Sequence, residues 1–221
     1  MAGITSRHSL NIDLQFCFMR AVFALSLLWL MTSAQAVGPV VVPPNETVAG
    51  VSQTEWSVRW WQWAFSFERP RSPVADTTGA LCASRQSGEV WFLAGTYGTR
   101  RTERSCTVPA GKVLFFPLIN YVTFRAENSD ESCDSLARRA ARLTDNPSAL
   151  ILEVDGVRYD SLAAHRLPTK CFSLVSGQPA DAVADGYFVA VGPLARGQHV
   201  INFGGALPSM LQAVTYTLTV E

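Results

Sequence analysis

The last strand-like segment of the chain alternates strictly between apolar residues and threonines over residues 214–220. Strict alternation places every second side chain on one face of an extended strand, so this pattern predicts a half-buried β-strand. The inward face consists of Val214, Tyr216, Leu218 and Val220, and the outward face consists of Thr215, Thr217 and Thr219.

Two upstream segments are apolar at successive positions instead of alternate ones. They are residues 89–95 (EVWFLAG) and residues 112–124 (KVLFFPLINYVTF), and the VPAG sequence at 108–111 is typical of a turn into the second. Strands that are apolar on both faces are buried on both faces, so these segments predict central strands.

Turn residues separate further short strand patterns. Residues 150–159 (LILEVDGVRY) predict a hairpin with Asp155-Gly156 at its turn. Residues 187–191 and 198–203 predict a second strand pair around the glycine- and proline-containing segment 192–197. Many short strands joined by such turns favour an antiparallel β-sandwich, jelly-roll or immunoglobulin-like, with flanking helices and disulfide bonds.

Two segments predict helices. Ser52 and Glu55 have the spacing of a capping box, in which each side chain accepts a hydrogen bond from the backbone N–H of the other residue. This helix is expected to run to about Phe67 and to stop at Pro70. Residues 133–144 (CDSLARRAARLT) predict the second helix, which the Asp-Asn-Pro sequence at 145–147 ends.

The first helix contains the sequence VRWWQWAFSF at residues 58–67 and is apolar over most of its circumference. At about 100° per residue, the apolar side chains of this helix fall on two arcs. Trp61 and Phe65 lie together on the second arc, roughly opposite the first. The first arc consists of Trp56, Trp60, Trp63 and Phe67. A surface helix needs one apolar stripe. We therefore interpret the first arc as core, and Trp61 and Phe65 as facing either another layer or a ligand.

The N-terminal region predicts export. Arg20 precedes an apolar run that ends in Ala34-Gln35-Ala36, which is the pattern of a signal peptide over residues 1–36. Residues 37–50 are proline-rich and predict an exposed N-terminal arm, and residues 51–221 predict a single domain. No later stretch is long enough to span a bilayer. The expected location is secreted or periplasmic.

The cysteine pattern agrees with an oxidising compartment. Once Cys17 leaves with the signal peptide, an even number of cysteines remains, and four cysteines allow three pairings. The favoured pairs are Cys82–Cys106 and Cys133–Cys171, because each closes a modest loop. Zinc is the competing interpretation, but the chain has no C-x-x-C spacing, and no metal site is predicted.

The charge pattern argues against a nucleic-acid partner. The chain has 18 basic and 18 acidic residues, and its basic residues are interspersed with acidic ones. No basic stripe results, so nucleic-acid binding is not expected. The basic groups are interpreted as a solvated, mixed surface, and they are Arg100, Arg101, Arg104, Arg138, Arg139 and Arg142.

Longer motifs connect these elements. They are WWQW, C-x3-Q-x-G-x-VWFLAG, C-x-VPAGK-x-LFFPLIN, VDGV, DGY-x5-PL-x2-G-x-H-x-I-x-FGG and VTYTLTV, and they run from Trp56 to Val220. In these motifs the chain resembles a family of secreted bacterial proteins of unknown function. The resemblance implies export and fold, and no particular reaction. Asn202 stands where the family pattern often has a second histidine.

The sequence offers one candidate catalytic group. His199 is predicted on the strand over 198–203, with Asp185 and Tyr187 of the neighbouring strand pair as its partners. The chain has no G-x-S-x-G and no H-E-x-x-H motif. A carboxylate pair of the glycosidase kind could come from the acidic loop that contains Glu127, Asp130, Glu131 and Asp134, although such loops are usually solvated.

These observations leave two main hypotheses open, beside a third in which the protein has a purely structural role in the envelope. The first is an exported binding or surface-interaction module that uses Trp61 and Phe65, with a polysaccharide or an envelope component as candidate partner. The alternative is an extracytoplasmic hydrolase or metal-dependent enzyme centred on His199. Whether the protein is an enzyme, which cofactor it would use and its oligomeric state are not determined by the sequence.

Overall fold

A computed structural model describes residues 40–98, 101–175 and 177–221. The predicted signal peptide, the first three residues of the predicted arm and Arg100 lie outside the described residues. The described chain is mainly β, as predicted. The helices are α1 (Gln53–Phe65) and α2 (Cys133–Thr144), with 3-10 turns at Arg69–Arg71 and Leu162–His165. The strands are β1 (Thr47–Val48), β2 (Val51–Ser52), β3 (Val90–Phe92), β4 (Arg101–Val108), β5 (Val113–Phe124), β6 (Ala149–Val154), β7 (Val157–Arg158), β8 (Ala182–Val191), β9 (Gly197–Leu207) and β10 (Met210–Val220).

Eight of these strands form two sheets. The larger sheet has the order β4-β10-β9-β6-β7, and the smaller has the order β3-β5-β8. The pairs β4–β10 and β3–β5 are parallel, whereas the other pairs are antiparallel. Both sheets are therefore mixed, and the expectation of a wholly antiparallel arrangement is corrected. Strand β4 was not predicted, because its inward positions include the polar residues Thr102 and Arg104.

The predicted pairing of residues 187–191 with residues 198–203 is wrong. Strand β8 pairs with β5, whereas β9 pairs with β10 and β6 in the other sheet. Every residue of β8 is buried, which fits a strand covered on both faces. The segment 192–196 therefore connects two sheets. The hairpin predicted at Asp155-Gly156 is present, and both turn residues have the positive φ that such a two-residue turn requires.

The two sheets share one hydrophobic core. The rings of Phe116 on β5 and Phe203 on β9 lie 4.5 Å apart between centroids. Ile119 on β5 packs closely on Gly205 of β9. A Cβ atom added to Gly205 would lie 2.8 Å from Cγ2 of Ile119. The inward residues of β10 belong to this core, as the alternation predicts. Gly205 thus allows the central strands of the two sheets to approach.

Helix α1 packs on the other face of the small sheet. Trp60 is 2% exposed, contacts the ring of Phe188 and donates its indole hydrogen to the carbonyl of Leu93 at 3.0 Å. One half of the predicted capping box is present, since Ser52 Oγ accepts from the backbone N–H of Glu55 at 3.2 Å, whereas the Glu55 carboxylate accepts from Arg59 Nε at 3.2 Å. The helix ends at Phe65, two residues earlier than predicted.

Strand β8 lies at one edge of the small sheet, and other segments of the chain cover that edge. Val42 N donates to Ala190 O at 2.9 Å, and Leu167 N donates to Gly186 O at 2.8 Å. The start of the described arm is therefore hydrogen-bonded to the small sheet, while most of the described residues over 40–50 remain exposed. Covering an edge in this way removes a surface for strand addition by another chain.

Two disulfide bonds tie loops to this framework. They are Cys82–Cys106 and Cys133–Cys171, the pairing favoured from the sequence. The first joins the segment after α1 to β4, and the second joins α2 to the segment that covers the β8 edge. Within the described residues, no helix combines the length and apolarity needed to cross a membrane.

Arg104 is a further correction to the sequence analysis. It was assigned to a solvated surface, but it is only 3% exposed. Its guanidinium donates to the carbonyls of Val74, Asp76, Ala94 and Gly95 and to the hydroxyl of Tyr216. This buried cation is satisfied by oxygen dipoles, and it joins two loops to β4.

Candidate functional site

A cleft of about 430 Å³ lies between the C-terminal half of α1 and strand β5. Its volume falls in the range of roughly 300–1,000 Å³ that is usual for small-molecule sites. The lining residues come from α1 and the segment after it, from the segment after β3, and from β5 and β10. They are Trp60, Trp61, Ala64, Phe65, Phe67, Arg69, Val74, Thr96, Tyr97, Asn120, Tyr121, Val122 and Met210.

The floor of the cleft contains Asn120, which lies directly across the ladder from Gly186 on β8. A Cβ added to Gly186 would lie 2.5 Å from both Cα and Cβ of Asn120, so only glycine lets the two strands approach in this way. A register shift between Pro117 and Ile119 precedes Asn120 on β5. Bulges of this kind reorient the side chains that follow them and occur frequently beside functional sites.

Gln212 holds two walls of the cleft together. Its side-chain nitrogen donates to the carbonyls of Pro117 and Leu118 at 2.9 Å each, and its side-chain oxygen accepts from Thr96 N at 2.8 Å. The residue is 3% exposed. A buried amide with all these bonds fixes the shifted part of β5 and the segment before Tyr97 relative to each other.

Two side-chain nitrogen atoms of lining residues are inaccessible to solvent and have no hydrogen-bond partner among the described residues. They are the indole Nε1 of Trp61 and the side-chain Nδ2 of Asn120. Asn120 is only 5% exposed. Leaving a buried donor unpaired costs about 1–3 kcal/mol, and such groups in a folded protein call for a specific explanation.

Aromatic rings form the rim of the cleft. Phe65 and Tyr97 are 45% and 51% exposed, which is high for large aromatic side chains. Phe65 contacts Trp61 at 5.8 Å and Phe124 at 5.5 Å between ring centroids. The guanidinium carbon of Arg69 lies 4.7 Å from the centroid of Tyr97. The rim thus presents apolar ring faces together with one cation.

The two ligand-binding residues predicted from the sequence, Trp61 and Phe65, both line this cleft. Sequence reasoning missed Asn120 and the Arg69–Tyr97 pair, because they come from segments that are distant along the chain. One signal was available for Asn120. It is the polar residue within an otherwise apolar stretch of a strand that was predicted to be buried on both faces.

The structure does not bring His199 together with Asp185 and Tyr187. The imidazole Nδ1 lies 2.7 Å from Asp155 Oδ2, and Nε2 lies 2.8 Å from the carbonyl of Ala195. Burial alone would lower the pKa of His199, but these two hydrogen bonds raise it overall. Both nitrogens face acceptors, so both carry protons in the favoured state, and neither remains available as a base.

Asp185 and Tyr187 belong to a network at the end of α2. Arg166 donates to the Asp185 carboxylate at 2.7 Å, and it also binds Asp145 at 2.7 Å and Thr144 Oγ1 at 3.0 Å. The hydroxyl of Tyr187 donates to the carbonyl of Thr144 at 3.3 Å. A cation at the C-terminus of a helix stabilises the last carbonyls, so this network has a clear structural role.

Metal and carboxylate chemistry find little support elsewhere. Among the described residues, no three histidine, cysteine or carboxylate side chains come close enough to hold a metal ion. In the acidic loop, the Glu131 carboxylate pairs with Arg139 at 3.3 Å and accepts from Ser135 Oγ at 2.9 Å. The described lining of the cleft contains no carboxylate.

Comparisons with known proteins do not assign the chain to a family. No family model and no curated protein matches the chain. The solution structure of amebosin is 10% identical, and the match covers 55% of this chain and 96% of that one with a TM-score of 0.19. A likeness this weak carries no argument about fold or function.

Proposed function

We propose that the protein is an exported carbohydrate-binding module and that the cleft between α1 and β5 is its binding site. The observation that supports this proposal is the combination of exposed aromatic rings with two buried, unpartnered donors, Trp61 Nε1 and Asn120 Nδ2. Hydroxyl and ring oxygens of a sugar supply acceptors at short intervals. The C–H faces of a sugar ring supply the apolar surface that aromatic rings contact.

Binding without hydrolysis fits the cleft better than the enzyme hypothesis does. Most glycoside hydrolases use two carboxyl groups that flank the scissile bond, and the described lining offers none. The alternative hydrolase or metal-dependent enzyme was centred on His199. Both nitrogens of His199 are engaged with Asp155 and Ala195, which argues against its use as a base or a metal ligand.

Export, location and fold type are part of the same proposal. Two disulfide bonds favour an oxidising compartment, so a secreted or periplasmic protein is consistent with them. Purification from the secreting cell followed by N-terminal sequencing tests the cleavage site, and the expected first residue is Val37. The family resemblance, and a jelly-roll or immunoglobulin-like arrangement of the sheets, stay predictions.

The binding test compares two indole hydrogens that are both buried and unpartnered. Wild-type protein is screened by pull-down on cell-wall and plant polysaccharides, and affinity for a soluble fragment of any hit is measured by calorimetry. Trp61→Phe removes the donor in the cleft, and we expect it to weaken binding about tenfold, the effect of one lost hydrogen bond. Trp91→Phe removes the unpartnered Nε1 that lies outside the cleft, and we expect it to leave affinity unchanged.

Two results would contradict the proposal. The first is that the wild-type protein binds no polysaccharide of the screen. The second is that a bound glycan loses the same affinity in Trp61→Phe and Trp91→Phe, which would indicate a general effect on folding instead of a contact in the cleft.

A further inference from the structure

Arg69 is the basic group of the cleft, and its position is defined by stacking. It lies in the 3-10 turn Arg69–Arg71 that follows α1, with its guanidinium carbon 4.7 Å from the ring centroid of Tyr97. Stacking uses the face of the planar group and leaves the N–H groups at its edges free to donate. Arg69 therefore presents a preoriented set of donors at the rim.

The charge of Arg69 is not balanced by an acid of the described chain. No aspartate or glutamate is among the described lining residues, and no ion pair involves Arg69 within the described part of the structure. The adjacent Glu68 binds Arg71 instead, with 2.6 Å between Arg71 Nη2 and Glu68 Oε2. The turn thus contains one paired arginine outside the cleft and one arginine in the cleft without a carboxylate.

We propose that the cleft selects sugars that carry a carboxylate, and that Arg69 binds this group. The inference rests on the proposed carbohydrate-binding function. Arginine donates two parallel hydrogen bonds to a carboxylate, which fixes orientation as well as adding affinity. Trp61 and Asn120, whose buried side-chain nitrogens lack partners in the described structure, line the same cleft. The donors of the cleft and its lack of acids both favour an anionic ligand.

The decisive experiment compares acidic sugars with neutral partners that have the same sugar rings. Oligogalacturonic acid and its methyl ester have the same ring shape, and the disaccharide of N-acetylglucosamine and N-acetylmuramic acid is matched by neutral chitobiose. Affinities are measured by calorimetry at low salt. We expect the acid of at least one pair to bind about tenfold or more tightly than its neutral partner, as a charge-assisted hydrogen bond predicts. The pair that shows this difference identifies whether the carboxylate belongs to a uronic acid or to a lactyl ether.

Arg69→Gln and Arg71→Gln provide matched variants from the same turn. We expect Arg69→Gln to remove the preference for the acid while leaving affinity for the neutral partner nearly unchanged. Arg71→Gln lowers the net charge by the same amount, and we expect it to keep the preference.

Three results would overturn the inference. Equal binding of the acid and its neutral partner in both pairs would show that the cleft binds glycans without charge selection. If the protein bound neutral polysaccharides in the wider screen but neither acid, the cleft would bind glycans without selecting a carboxylate. An equal loss in Arg69→Gln and Arg71→Gln would indicate non-specific attraction. By contrast, no binding of any glycan by the wild type would contradict the proposed function itself.

Discussion

Asn120 is the residue at which stability and binding are expected to oppose each other. Its buried Nδ2 has no partner among the described residues, so the free protein gains nothing from this donor. Leucine has a similar size and needs no hydrogen bond. We expect Asn120→Leu to keep or raise the free energy of unfolding by up to about 1 kcal/mol, and to weaken glycan binding at least tenfold. Urea unfolding and calorimetry on the same variant measure the two quantities.

Asn202 is the matched control for this prediction. Its amide donates to Glu153 Oε1 at 3.0 Å and accepts from Thr215 Oγ1 at 2.7 Å, and it lies outside the cleft. We expect Asn202→Leu to lower stability by about 1 kcal/mol and to leave binding unchanged. If Asn120→Leu instead lost stability and kept its affinity, Asn120 would be a structural residue.

The burial of Arg104 could not be predicted from the local residue pattern. In the sequence it stands among Arg100, Arg101 and Glu103, which is typical of a solvated surface. In the structure, β4 alternates strictly, and Arg104 occupies an inward position. A buried arginine is rare because its charge must be compensated, and here distant carbonyls of residues 74–76 and 94–95 compensate it. No local pattern encodes partners that are about 30 and 10 residues away.

At the scale of elements, the disulfide Cys133–Cys171 fixes the cover of the β8 edge. It ties the start of α2 to the segment in which Thr169 N and Phe172 N donate to carbonyls of β8. A loop of 38 residues corresponds to about 3–4 kcal/mol of chain entropy. We expect the double variant Cys133→Ser, Cys171→Ser to lose roughly this stability, and amide hydrogen exchange to increase first over residues 165–174.

The other disulfide provides the control. Removing Cys82–Cys106 by the corresponding serine variants is expected to cost a similar free energy, because its loop of 24 residues is of comparable length. Its faster exchange should appear in residues 76–86 and β4 instead. If both double variants exchanged fastest in the same segment, the two bonds would not stabilise separate elements.

The helices and strands were predicted more accurately than the contacts between them. Helix α2 was predicted with the bounds that the structure has, and the strands over 112–124 and 214–220 were recognised by their burial patterns. The pairing of β8 with β9 was wrong because a short glycine- and proline-containing segment fits both a hairpin and a crossing between sheets. This error also placed Asp185 and Tyr187 beside His199. The candidate site shared the same limit, since Trp61 and Phe65 were visible on one helix, whereas Asn120 and Arg69 join them only through the tertiary fold.

For the whole molecule, the two histidines outside the predicted signal peptide make stability depend on pH in opposite directions. Burial lowers the pKa of His165, against a hydrogen bond with the backbone of Phe188 that raises it. For His199, burial would lower the pKa, but the bonds to Asp155 and Ala195 raise it overall. An unfolded histidine titrates near pH 6.5. The free energy of unfolding is linked to the difference in bound protons between the two states.

These shifts predict a stability maximum near pH 6.5 within the range from about pH 5 to 8. Below about pH 6.5 the unfolded chain protonates His165 while the native state keeps it neutral, so stability is lost as the pH falls. Above about pH 6.5 the unfolded chain loses the His199 proton first, so the stability supplied by the Asp155 pair is lost as the pH rises through the native pKa. We expect His165→Gln to flatten the acid side of the curve and His199→Gln to flatten the alkaline side. Urea unfolding at half-unit pH steps checks this, and an alkaline side that His199→Gln leaves unchanged would contradict the assigned imidazolium.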